Sequence, residues 1–292
     1  MRLIFLLFFL HTTPIYAAAP EPPIRFGLTA VVLTENLRFL DQWSQYLEYK
    51  IGRKVEFVQR RSYREVMDLL ESDGIEFAWI CGYPYVQKRE PESLQLLTVP
   101  VYRGAPQYHS YIIVHHKSPY QNFADLKGRV FAFSDPDSNS GFLYPLAYMS
   151  EKGKKPAHFF RQTFFTFNHA ETIQAVAEQV ADGGAVDSYI WEYLAIFRPD
   201  ITEKTRIIQK SPSFGFPPIV SRIGVNTNTV RLMKATLENM DKDPLGKQLL
   251  AQLKLDGFGN YSDSLFNEIR AMVNSVQRVT PMSSMSSMFP PH

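Results

Sequence analysis

The chain has 292 residues, 45% of them hydrophobic and 21% charged, with a formal net charge of +2. That length suffices for one or two ordinary cores, and the near balance of charge argues against a nucleic-acid partner. Cys81 is the single cysteine, which excludes an intrachain disulfide and leaves packing to hold the fold.

Residues 1–17 carry one arginine and an apolar run, and small residues follow at Ala17-Ala18-Ala19, the outline of a secretory signal peptide. Cleavage is expected after Ala17, because Pro20 disfavours a cut after Ala19. The apolar run is far shorter than the ~20 residues a membrane span needs. A short strand is then expected at 24–28. Over 36–50 the residues Leu37, Leu40, Trp43 and Leu47, followed by Ile51, recur at helical spacing, and Gly52 stops the helix before a strand at 54–58. Ser62 caps a helix over 63–70, and Asp73-Gly74 turns the chain into a strand at 77–80. This alternation argues for parallel βαβ units, whose ligands gather at the carboxyl ends of strands. Cys81-Gly82-Tyr83-Pro84-Tyr85 stands at such an end.

Residues 104–115 contain a β-prone run and read as a first crossing into a second lobe, followed by a turn and short helix over 118–128. The stretch 129–145, RVFAFSDPDSNSGFLYP, carries the clearest chemistry. An apolar strand runs into Asp135-Pro136 and then Ser138-Asn139-Ser140-Gly141, turn and N-cap residues that predict a helix starting near Ser140. The first amides of a helix lack intrahelical partners and lie at the positive end of its dipole, so an oxyanion can accept several N–H bonds there without any lysine. The same residues also serve as a plain helix cap, and that alternative stays open.

Beyond it, 152–156 read as a solvated basic turn and 159–167 as β-prone. His169 opens a helix with Ile173, Val176 and Ala177 on one face, as a surface or capping residue at the positive end of that helix. Gly183-Gly184 is expected to break the chain before 185–191, where Asp187 can cap the helix 188–197. Residues 210–219 read as the return crossing, 220–225 as a strand, 228–240, 244–253 and 264–276 as helices, and 280–292 as a disordered tail.

The segment Asp-Pro-Asp-Ser-Asn-Ser-Gly at 135–141 resembles the Asp-Pro-x-Ser-Thr-Ser-Gly signature of periplasmic binding proteins for phosphonate, phosphite and related oxyanions, with Asn139 where threonine is usual. Phe77-Ala78-Trp79-Ile80, which implies that Cys81 to Tyr85 form the small-residue loop lining the cleft, the Gly-x-Pro-x-Tyr crossing at 104–108, His169 and Val-Asp-Ser-x-x-Trp-Glu at 186–192 add to the likeness. What the resemblance implies is an α/β type II periplasmic binding protein, two α/β lobes joined by two crossing segments with the ligand between them. Lobe I is expected from 24–107 and 219–279, lobe II from 108–218. The implied activity is capture of a small oxyanion of the phosphonate, phosphite or phosphate class for a membrane ABC permease, by a monomer in the periplasm. Ser138, Asn139, Ser140 and the Gly141 amide are expected to hold the anion with His169 as a further donor. Tyr83 and Tyr85 would wall the lobe I side, and Asp187 and Trp191 the far side.

Catalysis is not expected. There is no G-x-S-x-G elbow or H-E-x-x-H, no metal-spaced His/Cys cluster, and neither a cofactor nor a metal is called for. The rival reading is a sensor, in which Cys81 binds a thiophilic oxyanion such as arsenite and the partner is a membrane histidine kinase. A free cysteine packed as a small hydrophobe is the structural alternative.

Overall fold

The computed structural model describes residues 21–29, 37–88, 93–154 and 156–279. The expected leader at 1–17 and tail at 280–292 lie outside the described residues. Two mixed sheets organise the molecule. The first contains β1 (Ile24–Leu28), β2 (Val55–Gln59), β3 (Phe77–Trp79), β4 (Leu94–Val101), β12 (Ile219–Arg222) and β13 (Gly257–Gly259), in the order β13-β4-β12-β3-β1-β2. β1 pairs in parallel with β2 and β3, as the βαβ reading requires, and β12 enters antiparallel between β3 and β4. The second contains β6 (Ser110–His115), β7 (Val130–Phe133), β8 (Gln162–Phe165), β9 (Gly183–Asp187) and β10 (Thr205–Lys210), in the order β10-β6-β9-β7-β8. The two stretches that cross between the sheets pair with each other, β5 (Gln107–Tyr108) antiparallel to β11 (Phe214–Gly215).

Helices fill the connections: α1 (Leu37–Ile51), α2 (Tyr63–Glu71), α3 (Gly82–Lys88), α4 (Tyr144–Glu151), α5 (Pro156–Phe159), α6 (His169–Ala177), α7 (Ser188–Phe197), α8 (Pro199–Thr202), α9 (Thr227–Glu238), α10 (Pro244–Leu253) and α11 (Asn267–Val279). The aromatic stripe of α1 is core: Trp43 is fully buried among Phe26, Phe39, Phe57, Trp79 and Phe258. The second sheet carries its own ring cluster, with Phe131 stacked on Phe160 at 4.5 Å and Phe123 on Phe159 at 5.5 Å. Burial of such side chains, each worth about 1.5–3 kcal/mol, is what holds each sheet to its helices.

Two expectations are corrected. Residues 82–88 form a helix instead of a loop. Pro84 falls in its first turn, where a missing N–H is harmless, and Gly82 fits because a Cβ there would come within 2.5 Å of Ile269 on α11. Gly183 and Gly184 do not break the chain but lie inside β9. A Cβ on Gly184 would meet Thr172 at 2.7 Å, and one on Gly183 would meet Leu126 at 2.9 Å, so glycine is what lets α6 and the 123–126 turn approach the strand. β4, β10 and β13 have no counterpart in the sequence reading.

Candidate functional site

The end of β7 and the turn after it are built by short polar bonds. Asp135 Oδ1 accepts from Asp137 N–H at 2.7 Å, Ser138 N–H donates to the Asp135 carbonyl, and Ser138 Oγ accepts from Gly141 N–H at 2.9 Å. The next turn is wound wide: Leu143 N–H reaches back to the Ser138 carbonyl, and Tyr144 N–H to that of Asn139. Gly141 is required by space, since a Cβ would lie 2.5 Å from Ser134 Cβ and 2.6 Å from its Oγ. Ser138, Asn139 and Ser140 are all buried. The Asn139 Oδ1 and Ser140 Oγ atoms have no hydrogen-bond partner. A buried polar atom left unmet costs about 1–3 kcal/mol.

Residues attached to the first sheet close over this turn. Tyr63 N–H, at the start of α2, donates to Asp135 Oδ2 at 3.1 Å; Arg64 bonds Asp137 at 2.9 Å; and Asn139 N–H points at Cys81 Sγ at 3.2 Å. Asp187 N–H donates to His169 Nδ1 at 3.2 Å, so the imidazole proton must sit on Nε2 and be donated to Tyr63 Oη at 3.1 Å. Burial holds His169 neutral, its pKa lowered to about 3. Asn139 Nδ2 donates to Tyr108 Oη at 2.9 Å. Three hydroxyl oxygens, those of Ser138, Tyr63 and Tyr108, thus each accept an N–H bond, and the Tyr108 hydroxyl also faces the Cys81 thiol and the Ser140 hydroxyl. With Ser140 Oγ they make four hydroxyls around one helix start. Among the described residues no lysine or arginine is buried.

A donor ring of this kind at a helix N-terminus, between two α/β sheets, is what an oxyanion-binding cleft needs. The sequence profile of the family described as "ABC transporter, phosphonate, periplasmic substrate-binding protein" matches residues 26–266. The chain belongs to this family. It is 28% identical over 268 residues to the phosphonates-binding periplasmic protein of Escherichia coli (strain K12), covering 89% of this chain and 78% of that protein. Among solved structures, a binding protein component of a Pseudomonas aeruginosa ABC phosphonate transporter superposes with a TM-score of 0.82 at 22% identity, covering 89% of this chain and 88% of that one. Prochlorococcus marinus PhnD1, in complex with methylphosphonate, superposes with a TM-score of 0.77 at 18% identity, covering 88% and 98%. The fold is that of the type II periplasmic binding proteins, two sheet-containing lobes with two crossings.

The other residues singled out from the sequence divide in this substrate-binding protein. Asp187 lies beside the ring with its side chain capping α7, Oδ1 accepting from Tyr189 N–H at 2.7 Å; burial raises its pKa to about 7 against the lowering effect of those N–H bonds. Asp135 is raised to about 7 by burial in the same way. Tyr83 is buried near Asp137 and Arg64, on the first-sheet side of the closure. Tyr85 is not part of this group: its hydroxyl donates to Asp263 at 2.6 Å and its ring packs on Phe266. Trp191 is not part of it either, since its indole N–H donates to Thr205 at 3.0 Å and its ring meets Tyr111. His169 is engaged at both ring nitrogens, by the Asp187 N–H and by Tyr63 Oη. The sensing alternative finds no support among these relatives, which are described as binding proteins of ABC transporters, and Cys81 itself is buried with its thiol pushed up to about 11 by burial.

Tyr63 and Tyr108 are the members that the sequence reading missed. Tyr63 follows a Ser62 capping box, complete with Glu65, just beyond the carboxyl end of β2, and that position was the available signal.

Proposed function

We propose that this substrate-binding protein captures a small phosphorus oxyanion of the phosphonate, phosphite or phosphate class and presents it to the membrane permease of an ABC importer. It acts as a monomer without chemistry of its own, after export by the leader at 1–17. Lobe I, 24–107 with 219–279, and lobe II, 108–218, close on each other by hinge motion. The observation that supports this reading most is the ring of four hydroxyls at the helix start after β7, with no buried lysine or arginine among the described residues and with Tyr63 reaching in from the other sheet. A tetrahedral anion offers several acceptor atoms to such a ring, and each charge-assisted O–H bond contributes about 1.5–3 kcal/mol. The relatives agree in kind: the Escherichia coli protein is named for phosphonates, and the Prochlorococcus structure holds methylphosphonate.

The test is thermal unfolding of the mature, reduced protein with methylphosphonate, aminoethylphosphonate, phosphite, phosphate, sulfate or arsenite. Ligand at about a thousand times its Kd adds ~4 kcal/mol, a rise of several degrees for a chain of this size. A rise with at least one phosphorus anion is expected. No rise with any of them would end the proposal.

A further inference from the structure

Asn139 replaces the threonine of the family signature, and its carboxamide is half satisfied. Nδ2 donates to Tyr108, while Oδ1 is buried and accepts from nothing among the described residues. A threonine hydroxyl at that place can turn its proton toward an anion. A carboxamide oxygen can only accept, and a bare acceptor beside an anion is repelled unless a proton lies between them. Turning the carboxamide over does not remove the difficulty without cost, because Tyr108 would then give its proton to Oδ1 and be lost to the anion.

The titratable groups around Asn139 are Cys81 at the end of β3, Tyr63 on α2, Tyr108 on β5, His169 on α6, Asp135 on its own loop and Asp187 at the end of β9. The charged pair Arg64 and Asp137 lies at the edge. None of these groups bonds Oδ1, so the proton it lacks is one that the ligand can bring.

Resting on the reading of this cleft as a phosphorus oxyanion site, we propose that Asn139 is a specificity residue: Oδ1 accepts the P–OH of an oxyanion still protonated on oxygen, so that sulfate, which carries no such proton near neutrality, is rejected. Phosphonates are bound as their monoanions. Hydrogen phosphate keeps a P–OH in either of its common forms and is less affected by pH.

The experiment is calorimetric titration of the wild type, Asn139→Thr and Asn139→Asp with methylphosphonate, phosphate and sulfate between about pH 6 and 9, with thermal unfolding to verify the fold. In the wild type, affinity for methylphosphonate falls about tenfold per pH unit above the ligand's second ionisation, phosphate falls less, and sulfate does not bind. Asn139→Thr flattens that slope and narrows the methylphosphonate-to-sulfate ratio by roughly tenfold to a hundredfold. Asn139→Asp keeps an acceptor in place, so it retains the rejection of sulfate even where overall affinity drops, and it carries the test if the threonine variant does not fold. A wild-type slope and ratio preserved in Asn139→Thr overturns the proposal and moves the selection to Asp187, as does sulfate binding by Asn139→Asp. A wild type that binds none of the phosphorus anions refutes instead the reading on which the proposal rests.

Discussion

The backbone N–H of Asp187 donates to Nδ1 of His169 at 3.2 Å, and this one bond decides where the imidazole proton goes. With Nδ1 committed as an acceptor, Nε2 carries the hydrogen and turns Tyr63 Oη into an acceptor on that side. The phenol's own proton is then free for the cleft. Strand β9 and helix α6, both in the second sheet's half, thus orient a hydroxyl that belongs to the first.

Removing that hydroxyl separates its two roles. Tyr63→Phe keeps the ring and the Tyr63 N–H to Asp135 but leaves the His169 Nε2–H unmet in a buried site, so stability falls by about 1–2 kcal/mol. Affinity for the phosphorus anion drops roughly tenfold to a hundredfold, because a charge-assisted bond is lost. Calorimetry with paired denaturation curves checks both. Unchanged affinity would show that the tyrosine only braces the histidine.

Cys81 supplies a built-in report of closure. Its Sγ faces Asn139 N–H across the two halves, and burial raises its pKa to about 11. Lobe separation takes Asn139 away and hydrates the thiol. Two units above the ordinary value of 9.0 mean about a hundredfold less thiolate in the closed form. Maleimide labelling of the free protein is therefore faster than labelling with saturating ligand, by at least tenfold. Equal rates would contradict the closed arrangement of Cys81 and Asn139.

The parts of this molecule that local pattern governs were legible in the sequence. The α1 stripe through Trp43, the Ser62 cap and the Ser138 turn all appear where spacing and cap chemistry place them. β4 was not, because Pro100 sits inside it and a proline argues against a strand; here it pairs opposite Phe258 at the short flanking strand β13. The 82–88 helix was hidden in the same way by Gly82 and Pro84, residues that punctuate a loop as readily as they begin a helix. Tyr63 and Tyr108 belong to the site only through tertiary closure. Tyr63 and His169 are 106 residues apart in sequence, and a tyrosine at a helix start looks like any core aromatic until the partner is known. Tyr85 and Trp191 stand apart from the ring for the converse reason: their polar atoms find partners on α11's approach and on β10.

Gly141 carries a steric prediction that needs no assumption about the ligand. It is not among the glycines of positive φ, so an alanine would fit the backbone but not the space. Ser134, the residue in the way, is held by its own bond from Oγ to the Ala185 carbonyl at 2.8 Å and cannot simply swing aside. Gly141→Ala is expected to cost about 1–3 kcal/mol, as overpacked sites do. It should also push the Ser138–Ser140 amides out of register and abolish anion-induced stabilisation. A variant that keeps the ligand-induced rise in Tm would show that the turn has slack.

Asp187 gives the protein a pH dependence of definite sign. Burial raises its folded pKa to about 7 from 3.8, with the N–H bonds from Tyr189 and Ile190 acting in the opposite direction and Glu192 in the same one. The folded state therefore keeps a proton that the unfolded chain releases, and the stabilisation is present in full below about pH 4 and is lost as pH rises through about 7. Asp135 acts with the same sign, while His169, held neutral down to about 3, acts oppositely and weakens the fold as pH falls below the usual histidine range. The difference between the wild type and Asp187→Asn isolates one contributor, because asparagine caps a helix about as well and carries no charge. The two should unfold at similar temperatures near about pH 4, and the variant should be the more stable by about 2–4 kcal/mol near pH 8. Denaturant titrations at the two pH values measure this directly. A variant without advantage at the higher pH would mean that the carboxylate is ionised at little cost, its charge met by the N–H groups at the start of α7.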